Sequence, residues 1–475
     1  MVLPDDVLAV VFRRLAPRSL AASRCVCKAW RDVIDARRLL RPDLLPHAVR
    51  GIFLEYTHLD YPVFLARPSA GPAVDGKLGF LLESARASFL TLLDHCNGLS
   101  LYRDKHGLLV LNLATQRWAR WPPPPFMGII MEHIARLVFD PIESPHYEVF
   151  LVPDHPDREE EVNKCRQAMN TPSSSIVSGQ TLIPSVAEDT EEPGESVQRG
   201  LADWPSSTCV FSVFSSRTGR WEERVYAREG KAMGTIAEMR EYGFFWRGYS
   251  VCCRDTLYVQ CSGGIFMTRI SLSNDKYQVI KMPSGIDWME CSEIYLGKSV
   301  KGVSCASFRD WYHLQIWVLD ESCDQIEWVS KHQIDVVPIL HALNYDEQNE
   351  TEGPWILQDV NNAEDDNNEA ENKFEWDSDN DGVINIEYGA AQHCHGHFTF
   401  LGFHPYKDVV FLNVSLSRAV AYHLDSSMVQ DLGNLCPKGY HDIAGSFADI
   451  LMSFPFTPCM MTIVPENNLE GHDQE

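Results

Sequence analysis

The 475-residue chain is 45% hydrophobic and 11% aromatic, enough for a sizeable core, while its net charge of −25 and pI near 5.1 exclude the concentrated basic surface that a nucleic-acid partner requires. No run of about 18 apolar residues occurs, and Asp5 and Asp6 follow the first methionine where a leader is basic and then apolar, so a soluble intracellular protein, cytoplasmic or nuclear and without a membrane partner, is expected. In that setting the 14 cysteines are expected as reduced thiols.

The first 42 residues predict a small helical domain. Leu8, Val11, Phe12 and Leu15 fall at the i, i+3, i+4, i+7 spacing of one helical face, and Val26, Ala29, Trp30, Val33 and Ile34 repeat that spacing. Pro4 suits a first helical turn, and Asp5 and Asp6 complement the positive end of the helix dipole. Pro17 ends this helix, and Ser19 caps a short second one carrying Leu20. Three short helices are too few to bury this much apolar surface alone, so the hook is expected to dock on something.

Leu3-Pro4, the apolar stripe, the Pro-x-Ser-Leu turn at Pro17 to Leu20 and Val26-Cys27-Lys28-Ala29-Trp30-Arg31 together resemble the F-box. The resemblance implies docking on the Skp-family adaptor and, through it, on the cullin and RING subunits of a ubiquitin ligase. The expected adaptor-binding residues are Leu3, Pro4, Leu8, Val11, Phe12, Leu15, Leu20, Val26, Trp30 and Ile34, with Cys27, Lys28 and Arg31 lining the contact as in the family.

From residue 50 to 460 short alternating strands predominate. A degenerate unit, an apolar strand, a polar turn and a strand opening on an aromatic, appears at Val110 to Trp118 and Val213 to Trp221, and more loosely at Ile270 to Tyr277, Leu319 to Trp328 and Leu412 to Tyr422. That spacing fits the four-stranded blades of a kelch-like β-propeller of about six blades, with a β-sandwich as the alternative. The blades are expected at Leu90 to Trp121, His133 to Ala227, Tyr249 to Met282, Glu293 to Asp335 and Phe398 to Leu432. A sixth would join Gly51 to Arg67 with the last strands, Ile443 to Pro458. Two acidic stretches interrupt the pattern, and as blocks of like charge residues 154–200 and 345–387 are expected as solvated loops. Residues 465–475 read as a frayed tail.

Cys96-Asn97-Gly98-Leu99, the turn Asn112 to Trp118, Phe139-Asp140-Pro141, Ser144 to Val149 and Ser215 to Trp221 resemble the F-box-associated domains of the large plant F-box family, cereal-type versions above all. The resemblance implies a substrate receptor and carries no agreed ligand site.

Motifs for chemistry are sparse. There is no CxxC pair, nucleophile elbow, P-loop, G-x-G-x-x-G or H-E-x-x-H, so no catalytic residue, cofactor or metal site is expected. His393, His395 and His397 would share one strand face without a clear fourth ligand, and Asp377 to Gly382 copies the start of an EF-hand loop but places Tyr388 at its twelfth position. Adjacent Cys252 and Cys253 are expected to alternate across a strand. Trp204, Trp246, Trp288 and Trp311 are either target contacts or core. The chain therefore reads as the non-catalytic substrate receptor of an SCF-type ubiquitin ligase, recruiting an unknown target protein. The alternatives are a propeller that binds a glycan or small ligand in a deep central pocket, and an F-box protein that binds the adaptor without forming an active ligase.

Overall fold

Alternating apolar residues bounded by Gly, Asn, Asp and Ser turns become strands almost everywhere, because alternate side chains of a strand bury on opposite faces. The computed structural model describes residues 4–12, 14–15, 20, 23–24, 26–37, 39, 48–69, 74–85, 89–122, 135–170, 200–242, 248–261, 264–284, 286, 294–322, 325–343, 353–361, 375–385, 396–461 and 464. Among them are 27 strands and seven α-helices. No helix among them is long and apolar enough to cross a membrane.

After β1 (Gly51–Tyr56) and β2 (Val63–Ala66), the strands β3 (Thr91–Cys96), β4 (Leu99–Asp104), β5 (Gly107–Asn112) and β6 (Arg117–Arg120) form an antiparallel meander. A second group comprises β7 (Ala135–Val138), β8 (Glu148–Leu151) and, past the short β9 (Asp203–Trp204), β10 (Thr208–Ser215) and β11 (Arg220–Glu229). The short β12 (Gly234–Thr235) pairs with β9. A third meander holds β13 (Ser250–Cys253), β14 (Thr256–Cys261), β15 (Phe266–Ser271) and β16 (Lys276–Lys281). Its last strand runs parallel to β11 over three residues, which fuses the second and third groups into one eight-stranded sheet.

The fourth sheet is β17 (Ile294–Ser299), β18 (Gly302–Arg309), β19 (His313–Asp320) and β20 (Glu327–Asp335). Two short strands follow, β21 (Ile356–Gln358) and β22 (Val383–Ile384), then β23 (Phe398–Phe403), β24 (Val409–Val414), β25 (Arg418–His423) and β26 (Val429–Asn434), to which β22 adds as a fifth strand. The last sheet joins the two ends of the described body: β27 (Ile450–Phe456) pairs antiparallel with β1, Gly51 opposite Phe456, in the order β21, β2, β1, β27. Most of the strand segments expected from the sequence lie in antiparallel groups, but Ile443 belongs to a short helix, Tyr440–Ala444, so β27 alone pairs with β1 and the fourth strand of that sheet is β21.

The first strands of successive groups pack side by side, β3 on β7, β7 on β13, β13 on β17, β17 on β23 and β23 on β27. They share one core that takes Phe53, Tyr102, Tyr258, Tyr295 and Phe454 from four sheets. Phe456 packs edge-on against Phe53 and Phe64, at 5.7 and 6.0 Å, and its ring lies 5.8 Å from that of His95. Toward the other end of β1 the buried Glu55 carboxylate accepts the Leu92 N–H at 3.2 Å, linking the last sheet to the first.

The acidic stretches are more ordered than loops, and their described parts correct that expectation. Residues Pro156–Asn170 form a 15-residue helix. Its first turn carries Asp157 and Glu159 at the positive end of the dipole, Arg158 is buried in an ion pair with Asp154 at 2.7 Å, and Arg240 binds Asp157 and Glu160. The second stretch is held by two tryptophans that its charge conceals, Trp355 and Trp376, both buried, while β21 and β22 extend neighbouring sheets. The expected tail at 465–475 lies outside the described residues.

Two stability predictions arise from the closing sheet. Phe456→Ala should cost about 3–5 kcal/mol, read as a lowered urea midpoint, because it removes a fully buried ring where two sheets meet; a change below about 1 kcal/mol would contradict the packing described. Burial pushes the Glu55 carboxyl from 4.5 up to about 8, against the opposing pull of the Leu92 N–H and Arg103. An acid raised by folding stabilises fully below its unfolded value, and that contribution is lost as pH rises through the folded one. Burial also raises Asp94 to about 6 and lowers His95 to about 4, so both have finished titrating by roughly pH 7. Between roughly pH 7 and 8 wild-type stability should therefore fall, and Glu55→Gln should flatten that decline; an unchanged slope would assign it elsewhere.

Candidate functional site

The N-terminal helices divide their apolar residues between two faces. Helix α1 (Asp5–Phe12) turns Leu8, Ala9 and Phe12 onto Leu20, Val33, Ile34 and Leu39, with Leu15 and Trp30 half-buried at the margin. Helix α2 (Lys28–Ala36) brings the Trp30 ring edge-on to Phe12, 5.1 Å between centroids at 67°. An Arg37–Asp6 ion pair ties the two helices at the surface, and Leu20, Ser23 and Arg24 between them are helical. Pro4 accepts the Val7 and Leu8 N–H groups at 3.0 Å, so the first turn is nucleated where the sequence places it.

The second face is apolar and open. Val7, Val10 and Val11 are 45, 49 and 46% exposed and sit at i, i+3, i+4, one stripe along the outer side of α1, and Val26 is 63% exposed. Pro4, Cys27, Lys28 and Arg31 are exposed with them. Apolar residues on two faces of a helix are stable when both faces are covered, and the described residues cover only one of those of α1.

The expected contact residues are therefore of two kinds. Leu8, Phe12, Leu20 and Ile34 lie in the hook's own core, so the small domain buries more of its own apolar surface than its length suggested. Pro4, Val11, Val26, Cys27, Lys28 and Arg31 are on the surface, Leu15 and Trp30 lie between, and Leu3 is outside the described residues. Val7 and Val10 were missed. Their signal was the unbroken run Val7 to Phe12, which a one-stripe reading treats as redundant.

The rest of the molecule offers scaffolding at the motifs singled out in the sequence. Cys253 packs on the main core and Cys252 on two others, an alternation across β13. The carboxylates of Asp377 to Asp381 accept local N–H groups, at 2.9 Å from Asp379 N and 2.7 Å from Asp377 N, and Asp379 pairs with Lys407. Among the described residues no cluster of three His, Cys, Asp or Glu could hold a metal. His393 and His395 lie outside those residues, while His397 donates its backbone N–H to Ser415 Oγ. Trp204 is core, its Nε1 donating to Glu159, and Trp311 is exposed; Trp246 and Trp288 lie outside the described residues. Where the inner strands converge there is a cavity of about 80 Å3 lined by His95, Asn97, Ser250, Tyr295, Lys298 and Phe454. A larger open groove of about 930 Å3 runs at the perimeter between β16 and the β19–β20 pair, with Met282, Trp317 and Trp328 in its walls.

Comparison with known proteins bears on the first of these features. Residues 2–42 match the F-box domain model. Over 154 residues the chain is 27% identical to a protein of Arabidopsis thaliana, itself provisionally named an F-box protein; the match takes in 32% of this chain and only 41% of that protein's length. A solved structure from work on two prolyl endopeptidases covers 94% of this chain and 54% of its own, at 8% identity and a TM-score of 0.28, a likeness too low to carry an argument. The chain thus bears an F-box domain at its N-terminus, ahead of a mainly β body, and is similar to a plant F-box protein.

Proposed function

We propose that this protein is a non-catalytic substrate receptor of an SCF-type ubiquitin ligase, working in the cytoplasm or nucleus. The observation that carries the reading is the uncovered valine stripe of α1, within the F-box match. Val7, Val10, Val11 and Val26 supply apolar area, about 1.5 kcal/mol or more for each side chain fully buried, against the cost of association. Pro4, Cys27, Lys28 and Arg31 surround it, and Leu8, Phe12, Leu20 and Ile34 hold it in shape from behind. The Skp-family adaptor covers this face and brings the cullin and RING subunits with it.

The body then acts as a six-bladed β-propeller, a reading supported by the succession of four-stranded groups and by the sheet that unites both ends of the body. It contributes position: holding a target protein near the charged conjugating enzyme raises the effective concentration of target lysines without a catalytic group on this chain. The glycan or small-ligand alternative calls for a deep central pocket; the cavity among the described inner strands, of about 80 Å3, is smaller than the roughly 300–1,000 Å3 typical of such sites.

Co-purification with a Skp-family adaptor tests the docking face. Wild type should retain the adaptor, and Val7→Asp/Val11→Asp should lose it with an unchanged melting temperature; retention by that variant would refute the proposed surface. Phe12→Ala should act differently, destabilising the helical domain by about 3–5 kcal/mol and releasing amide protection in α1 and α2. If Phe12→Ala left protection intact, the division into core and docking faces would be wrong.

A further inference from the structure

At the end of the closing sheet where β1 turns toward β2, three connections meet in a hydrogen-bonded platform. Thr57 N–H donates to Asp449 O at 3.0 Å, and the Thr57 hydroxyl donates to Phe447 O at 2.7 Å. Tyr440 OH donates to Asp449 O at 3.1 Å. Asn361 exchanges two 3.1 Å bonds with the Tyr61 backbone, one in each direction, and its own N–H donates to Asp359 at 2.8 Å. These bonds hold the backbone in place while two large apolar side chains point outward. Phe447 is 74% exposed, the highest value among the large apolar side chains described, and Ile443, four residues earlier, is 59% exposed. The Phe447 ring meets the edge of the His58 ring, at 6.5 Å.

The platform is acidic. Residues 57–62, 359–361 and 435–449 contain Asp60, Asp359, Asp442 and Asp449 against a single Lys438 and no arginine. Asp60 and Asp442 are exposed beside the apolar pair. An exposed Phe and Ile without apolar cover among the described residues suit an anchor site, and surrounding carboxylates select a positively charged partner while repelling an acidic one.

The platform lies at the end of the closing sheet opposite Gly51, where the described chain enters β1.

We infer that the Phe447–Ile443 platform is where the body binds its target, and that the segment it takes is basic, with apolar residues set among lysines or arginines. This rests on the substrate-receptor reading above and deepens it, since a lysine-bearing segment held there presents the amines to which ubiquitin is joined.

The test uses the full chain and fluorescence anisotropy with a labelled peptide of repeating Lys and Leu, beside the same peptide with Glu for Lys. The Lys peptide should bind and weaken several-fold on raising salt to about 0.3 M, and the Glu peptide should not bind. Phe447→Ser/Ile443→Ser should lose roughly tenfold in affinity, with an unchanged melting temperature because both side chains are exposed. Val300→Ser, an exposed residue in the turn between β17 and β18, should bind as wild type. The inference is overturned if the Lys peptide does not bind, if the double variant binds it equally well, or if both peptides bind alike. Adaptor co-purification run on the same double variant should be unaffected, so failure of adaptor docking and failure of this platform give separate signals.

Discussion

The pairing of β1 with β27 is the constraint on which the rest of the body depends. It brings residues near both ends of the described body into one sheet, Gly51 opposite Phe456, and so fixes the first and last groups against each other. The entropic cost of closing so long a loop grows only slowly with length, and the closing sheet repays it with Phe53, Phe64 and Phe456 packed together and a buried carboxylate bonded across to the first sheet. Such non-local pairing must form late, after the local hairpins it unites.

The motifs most visible in the sequence prove to be joints of this scaffold. Asn112, fully buried, donates from its amide to the carbonyls of Cys459 and Met461, both at 3.0 Å, clamping the chain just after β27 onto the first sheet. Asn97 donates to Phe139 O at 2.6 Å, and the Cys96 thiol donates to the same carbonyl, so two motifs far apart in sequence meet between the first and second groups. Gly98 is required there: its φ is +89°, and a Cβ would come within 2.6 Å of the Cys459 backbone. Trp121 donates to the Tyr147 hydroxyl, whose backbone N–H is held by Ser216 Oγ. These residue types were chosen by packing and backbone satisfaction, which is why their pattern points to a fold and carries no ligand chemistry.

The surfaces available for partners lie outside that scaffold. The valine stripe of α1 and the Phe447 platform are apolar faces on short helical segments, the first beside Lys28 and Arg31, the second among four aspartates. The two proposed docking faces thus differ in charge, which would keep two partners from competing for the same place.

Local rules determined much of this protein. Strand alternation, turn residues and the spacing of aromatic units located most of the strands, though not β21 of the closing sheet, and helical periodicity with Pro4 and the acidic first turn located the start of α1. What only the tertiary structure decided was which face of each element is covered. Leu8 and Val11 are equally apolar neighbours on one helix, yet Leu8 is buried by Phe12, Leu20 and Ile34 while Val11 faces solvent. Trp355 and Trp376 sit in the most acidic stretch of the chain and still anchor it, because burial against distant strands outweighs local charge. Periodicity reports the angle between side chains on one element, whereas burial depends on neighbours brought in from elsewhere in the chain.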